Sequence, residues 1–244
     1  MSFDKPITRE NLNDCLKELA KEYRRLSGTK MPAEVILIGG AAVLANYGFR
    51  EMTYDIDAII HASSAMKDAI NHVGDKYDLP HGWFNAHFQR TASYSVKLSE
   101  VSVYYKTYSN VLQIRTVSAE YLIAMKLVSG RQYKNDLSDV AGILLEHKQR
   151  GEPIERVAIE AAIEMLYGDI ELPETSTVLM NTAFSNGDFE KLYNESRESE
   201  KLSKEALVEF EHDYPNTLKG ENISGIIERA KLKRAAAQGK DDSY

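Results

Sequence analysis

Apolar positions along this chain follow two rhythms. From Arg9 to Leu26 they recur at helical spacing: Leu12, Cys15, Leu16, Leu19, Tyr23 and Leu26 form one stripe, and Thr8 stands where a helix cap is needed. Cys15 lies on that stripe and reads as core rather than as a reactive thiol. The run Glu34-Val-Ile-Leu-Ile-Gly is short, apolar and closed by glycine, which predicts a buried strand. Ala41 to Tyr47 predicts a short helix stopped by Gly48, and Tyr54 to Ile60 predicts a second strand. A third helix is expected over Ser64 to Tyr77, ahead of the segment LPHGWFN at 79–85. Two β-like runs follow, Glu100 to Thr107 and Val111 to Val117, joined by a Tyr-Ser-Asn turn.

Beyond Ser118 the rhythm is helical, over Ala119–Ser129, Asp136–His147 and about Ile154 to Leu166. Residues 168–188 are rich in turn formers and predict a break. The segment 189–213 reads as a charged helix, its eight acidic residues against four basic ones marking a solvated face. A last helix near Ile223 to Ala237 is expected to end in a polar tail. The pattern as a whole is α/β (α+β): a mixed sheet flanked by helices over residues 1–118, then a helical part over 119–244.

At 244 residues the chain can hold one large domain or two small ones. No apolar run approaches the ~20 residues of a membrane span, and MSFDKPITRENL has neither the basic flank nor the apolar stretch of a secretory signal. A cytoplasmic location with no membrane partner is therefore expected. The single cysteine excludes an internal disulfide, and the six histidines show no zinc-site spacing, so any metal has to be held by oxygen. The net charge of −7 argues against a wide grip on nucleic-acid backbone and leaves room for a local basic site.

The stretch LIGGAAVLANYGFREMTYDID, residues 37–57, concentrates the chemistry. Asp55 and Asp57, spaced i and i+2 on a strand, point to one face while Ile56 points to the other. Two carboxylates held that close repel, and a divalent cation is the usual reason to keep them; Mg²⁺ prefers such oxygens and completes its shell with water and substrate phosphate. Gly39-Gly40 leaves bare amides at a helix N-terminus, where no Cβ blocks a phosphate. A dinucleotide-binding reading of the same glycines fails, because the fingerprint spacing is absent and the aspartates stay unexplained.

Gly39-Gly40, a short helix and Asp55-Ile-Asp57 together resemble the nucleotidyltransferase superfamily that includes DNA polymerase β, most of all the minimal bacterial members related to AbiEii-type toxins. LPHGWFN is similar to a Leu-Pro-x-x-Trp-Leu-Asn segment of some of these small proteins, and 119–144 is similar to their lysine-bearing helix. The resemblance implies a nucleotidyltransferase-type mixed sheet, with residues 119–145 adding to the active site. It implies that Asp55 and Asp57 bind Mg²⁺, with Mn²⁺ as a substitute, and that Gly39 and Gly40 contact the triphosphate of a nucleoside triphosphate. The acceptor it implies is a hydroxyl of an RNA end, such as a tRNA 3′ terminus, or of a protein. It also implies a toxin role in a toxin–antitoxin or abortive-infection pair, with an antitoxin or regulator protein as partner.

Lys126 interrupts an otherwise apolar helix, so it either snorkels to water or faces an anion, since burying an unpaired ammonium costs several kcal/mol. Two readings are open for Asp136 and Asp139. With Asn135 as cap they are ordinary first-turn acids; otherwise one of them is an active-site acid, Asp136 first, with Arg131 or Lys134 on the triphosphate. Arg50 and Thr53 either touch substrate or close the loop. The superfamily's third carboxylate is not found on Val111-Leu-Gln-Ile-Arg-Thr, which offers Gln113 and Arg115, while Glu100 stands at the margin of the preceding run. That gap motivates the alternative of a catalytically degenerate relative that binds nucleotide or a protein partner. Trp83 and Phe84 read as core anchors rather than as a base-stacking pair.

Overall fold

Strand β1 (Ile7–Thr8) runs straight into helix α1 (Arg9–Ser27), and Thr8 closes a capping box with Asn11. The structure, a computed structural model, describes residues 6–241, with side chains through Arg234; residues 1–5 and the end of the predicted polar tail lie outside it. The stripe expected on α1 is buried from Leu12 to Tyr23, and Cys15 is core, its thiol pushed up chiefly by burial. Next come β2 (Ala33–Leu37), α2 (Gly39–Asn46), β3 (Met52–Thr53), β4 (Ile56–His61), α3 (Ala65–Tyr77) and the two-residue β5 (Phe84–Asn85). The predicted helix at Ala41 thus starts two residues earlier, at the glycines themselves.

Strands β6 (Ser102–Tyr108) and β7 (Leu112–Val117) form the expected hairpin. Its turn places Ser109 and Asn110 at φ of 51° and 55°, the left-handed pair that matches strand twist. The five-stranded sheet runs β5-β4-β2-β7-β6, with β4 antiparallel and β7 parallel to β2. A second small sheet pairs β1 with β3, tying the start of α1 to the loop that leads into Asp55.

Six helices follow: α4 (Ala119–Ser129), α5 (Asp136–Gln149), α6 (Arg156–Tyr167), α7 (Glu174–Asn186), α8 (Phe189–Asp213) and α9 (Ile223–Asp241). Helix α7 corrects the break expected at 168–188. Ser176, Leu179, Met180 and Ala183 are buried at helical spacing, so packing overrides the poor local propensity of its Thr, Ser and Asn residues. One buried core extends from Ile7 to Leu192, joining the sheet to the helices after β7. No helix among the described residues is long and apolar enough to cross a membrane.

Because the hairpin turn needs two left-handed residues, Ser109→Asn with Asn110→Gly should raise unfolding free energy by about 0.5–1 kcal/mol. The check is a higher urea midpoint with an unchanged slope.

Candidate active site

The N-terminus of α2 is pressed against the two aspartates. Gly39 has φ of +56°, a left-handed conformation that favours glycine, and a Cβ there would sit 3.6 Å from Asp57 Oδ2. A Cβ on Gly40 would meet Thr53 Oγ1 at 2.8 Å, leaving no room for any side chain. The backbone N–H of Ile38 donates to the Asp57 carbonyl at 3.0 Å, fixing the turn to β4, and no side chain caps α2. Its first amides therefore face the carboxylates' side of the cleft, the geometry that suits an anion.

Asp57 is half-buried on β4, whereas Asp55 lies one residue before the strand and is exposed. Burial pushes the Asp57 carboxyl up and the Asp55 charge pushes it further, with Arg131 and Lys126 pulling back. The strand beside Asp57 is β5, not β7: β4 and β5 pair with Asp57 opposite Asn85, while β7 lies beyond β2. Gln113 and Arg115, the positions inspected for a third acid, turn instead to Glu34 and Ser102. The neighbouring position is filled by Asn85, whose Nδ2 approaches Asp55 Oδ2 at 3.5 Å. Trp83 sets that register: its indole donates to Ile70 O at 3.1 Å, and its carbonyl accepts from Ile56 N at 2.7 Å, where β4 begins. It is the core anchor the sequence suggested, 2% exposed.

Across the cleft runs a chain of ions, with Lys126, Asp136 and Asp139 buried and Arg131 at its exposed end. Arg50 Nη1 donates to Asp139 at 2.6 and 2.8 Å, and Lys126 Nζ lies 2.8 Å from Asp139 Oδ2 and 2.9 Å from Asp136 Oδ1. Arg131 Nε then reaches Asp136 Oδ2 at 2.8 Å. Lys126 does not snorkel: it is 7% exposed and finds carboxylates. Burial works against both charges of the Lys126–Asp136 pair, yet the opposite charges win: the Lys126 ammonium is raised and the Asp136 carboxyl lies well below the carboxylate range. Three cations meet two carboxylates, which leaves a positive charge on the wall facing Asp55 and Asp57.

A family described as "nucleotidyltransferase of unknown function (DUF6036)" matches residues 14–185. The chain belongs to this nucleotidyltransferase family. No curated protein and no solved structure matches it. A cleft of about 670 Å³ gathers these residues: Gly40, Arg50, Thr53, Asp55 and Asp57 converge on it from the sheet side. Lys126, Arg131, Lys134 and Asp136 converge from the helical side. Gly39 borders the same group, since a Cβ there would reach Asp57 Oδ2. The glycines, aspartates and cations expected at the site thus gather at one place, whereas Gln113 and Arg115 do not. Asp136, fully buried, has both oxygens engaged by Lys126 and Arg131, so it holds cations in place and has no free face for a further ligand.

Glu200 is the member that the sequence pattern hid. Asn135 stands at the α5 cap but its side chain caps nothing; Glu200 of α8 does so instead, its Oε1 accepting from Leu137 N at 2.8 Å and Ser138 N at 3.3 Å. It lies outside the matched segment and is 6% exposed within a helix otherwise rich in solvated acids. Burial pushes its carboxyl up to about 7, against the two amide hydrogen bonds that pull it down.

Lys126→Met should lower unfolding free energy by about 3–5 kcal/mol, because it strands two buried aspartates on one cation each. Lys134→Met, exposed in the same cleft, should stay within ~0.5 kcal/mol in the same urea titration. For Glu200 the sign follows from a folded pKa of about 7 above the ordinary 4.5. Its stabilising contribution is complete below pH 4.5 and is lost as pH rises through 7. Wild type should therefore lose about 3 kcal/mol relative to Glu200→Gln between the acid and alkaline ends of that window, read by urea unfolding across pH.

Proposed function

We propose that this protein is a Mg²⁺-dependent nucleotidyltransferase of the polymerase-β-like kind, related to AbiEii-type toxins, that moves a nucleotidyl group from a nucleoside triphosphate to a hydroxyl. The observation that carries the reading is the contact of the Gly39 turn with Asp57, beside Asp55 and opposite a cationic wall. Among the described residues no group of three or more His, Cys, Asp or Glu is arranged to hold a metal. Two carboxylates plus substrate oxygens is a donor set that fits Mg²⁺, or Mn²⁺ in its place, and fits poorly with a metal needing an all-protein cage. Burial first and the Asp55 charge second push the Asp57 carboxyl up, and a cation between the two would counter both.

When bound, the metal would neutralise charge on the triphosphate and the attacking oxygen. The chain's own residues seat the phosphates on the α2 amides, while Arg131 and Lys126, locked by Asp136, face the charge that develops on them. The acceptor oxygen attacks the α-phosphorus in line, a P–O bond forms, the bond to the β-phosphate oxygen breaks and pyrophosphate leaves. The hydroxyl proton passes to water, because Asn85 stands where a neighbouring carboxylate would take it. Asn85 is also the observation favouring the second reading, a degenerate member that binds nucleotide without turnover. A toxin role with an antitoxin partner extends the first reading to the cell.

Wild type with Mg²⁺, each labelled nucleoside triphosphate and total tRNA or protein should transfer label, and Asp55→Asn or Asp57→Asn should lower the rate by roughly 10²–10³-fold. Mg²⁺ should raise the Tm of wild type and leave that of Asp57→Asn unchanged, while metal-free Asp57→Asn should melt above metal-free wild type. A Mg²⁺ shift without label transfer to any acceptor would leave only the degenerate reading.

A further inference from the structure

Helix α8 caps α5 through Glu200 and, further along, walls the cleft that holds Asp55 and Asp57. Lys204, Leu207, Val208 and Glu211 line that cleft at helical spacing, and Lys204 Nζ stands 5.8 Å from the ring centroid of Tyr54, the residue before Asp55. The helix begins at Phe189, so this wall lies outside the matched segment 14–185. One atom on it is out of balance. Among the described residues, the buried side-chain atom that lacks a hydrogen-bond partner is Glu211 Oε2. Its sister Oε1 accepts from Asn216 N at 2.8 Å, which holds the carboxylate against the turn after α8. A buried charged acceptor left without a partner is costly, and native folds keep few of them. This one stands on the wall of the cleft that carries the two aspartates.

We propose that Glu211 Oε2 accepts a hydrogen bond from the nucleoside part of the triphosphate, and that Glu211 thereby sets which nucleotides the cleft takes. The inference rests on the nucleotidyl-transfer reading of the cleft. The α2 amides, Arg131 and Lys126 engage the phosphates, which leaves the nucleoside to the α8 wall, where Leu207 and Val208 offer apolar surface around one bare acceptor. A carboxylate only accepts hydrogen bonds, so Oε2 repels a phosphate and suits an O–H or N–H. A nucleoside carries such donors in two places, the ribose hydroxyls and the edge of the base. Entry has to part the side chains that cover Oε2. The bond then forms away from water, where it discriminates strongly against a nucleoside lacking the donor.

The test is calorimetric titration of the full chain with Mg²⁺ and, in separate runs, tripolyphosphate, the four ribonucleoside triphosphates and their 2′-deoxy and 3′-deoxy forms. Wild type should bind at least one nucleotide more tightly than tripolyphosphate. Glu211→Gln keeps the shape of the side chain and puts an N–H donor where the acceptor was. It should bind that nucleotide about tenfold more weakly. Tripolyphosphate should bind the variant at least as tightly as wild type, because a negative charge has left the cleft. The opposite signs are the readout: a purely electrostatic role strengthens both, and a purely structural one weakens both. Weak binding of deoxy forms by wild type assigns the donor to the sugar, and a loss confined to particular bases assigns it to the base edge; either upholds the proposal. Equal nucleotide affinity in wild type and variant, equal losses for nucleotide and tripolyphosphate, or loss of the Tm shift by Mg²⁺ alone would each overturn it. Nucleotide binding that ignores Glu211→Gln would leave the transferase reading standing without it. A wild type that binds neither tripolyphosphate nor any nucleotide would sink both.

Discussion

The alternation Arg50–Asp139–Lys126–Asp136–Arg131 is the interaction on which the rest of the cleft depends. Lys126, Asp136 and Asp139 are buried and would be costly alone; together with the two arginines they satisfy one another. Its ends lie on different parts of the chain. Arg50 comes from the loop after α2, Lys126 from α4, the aspartates from the first turn of α5 and Arg131 from the α4–α5 connection. The network is therefore the joint between the sheet that carries Asp57 and the helices that carry the cations. It also sets the cations' aim: a lysine gripped by two carboxylates cannot swing away, and the positive charge left over belongs to the wall as a whole.

The aspartates' side is built by backbone rather than by ions. Gly39's left-handed turn, the Ile38 bond to Asp57 and the Trp83-anchored start of β5 place amides, carboxylates and Asn85 within one small region. Burial, and after it the Asp55 charge, pushes the Asp57 carboxyl up there, against the pull of Arg131 and Lys126. A cation placed between them would lower both the cost of burial and the repulsion.

How far the sequence could be read follows from where its signals are local. The α1 stripe, the hairpin turn and the glycine–aspartate spacing depend on neighbouring residues, and they emerge in place. Lys126 was legible because one cation in an apolar helix demands a partner, although which aspartates supply it is a tertiary fact. Helix α7 was not legible, since its buried face is carried by Ser, Leu, Met and Ala amid turn formers. Asn85 and Glu200 were hidden for another reason: the first gains meaning only from the register of a two-residue strand, and the second is one acid among eight on a charged helix, distinguished by burial alone.

Glu200 also ties the cap of α5 to a late stage of synthesis. The α5 amides that it caps lie up to 63 residues earlier in the chain. At ~5–20 residues per second, a ribosome needs roughly 3 to 13 seconds to make that interval. Through that time the sheet, the aspartate pair and the ion chain have all been translated while the first turn of α5 lacks its cap. The first turn of α5 thus gains its cap only once the segment carrying Glu200 has emerged, well after the residues it steadies.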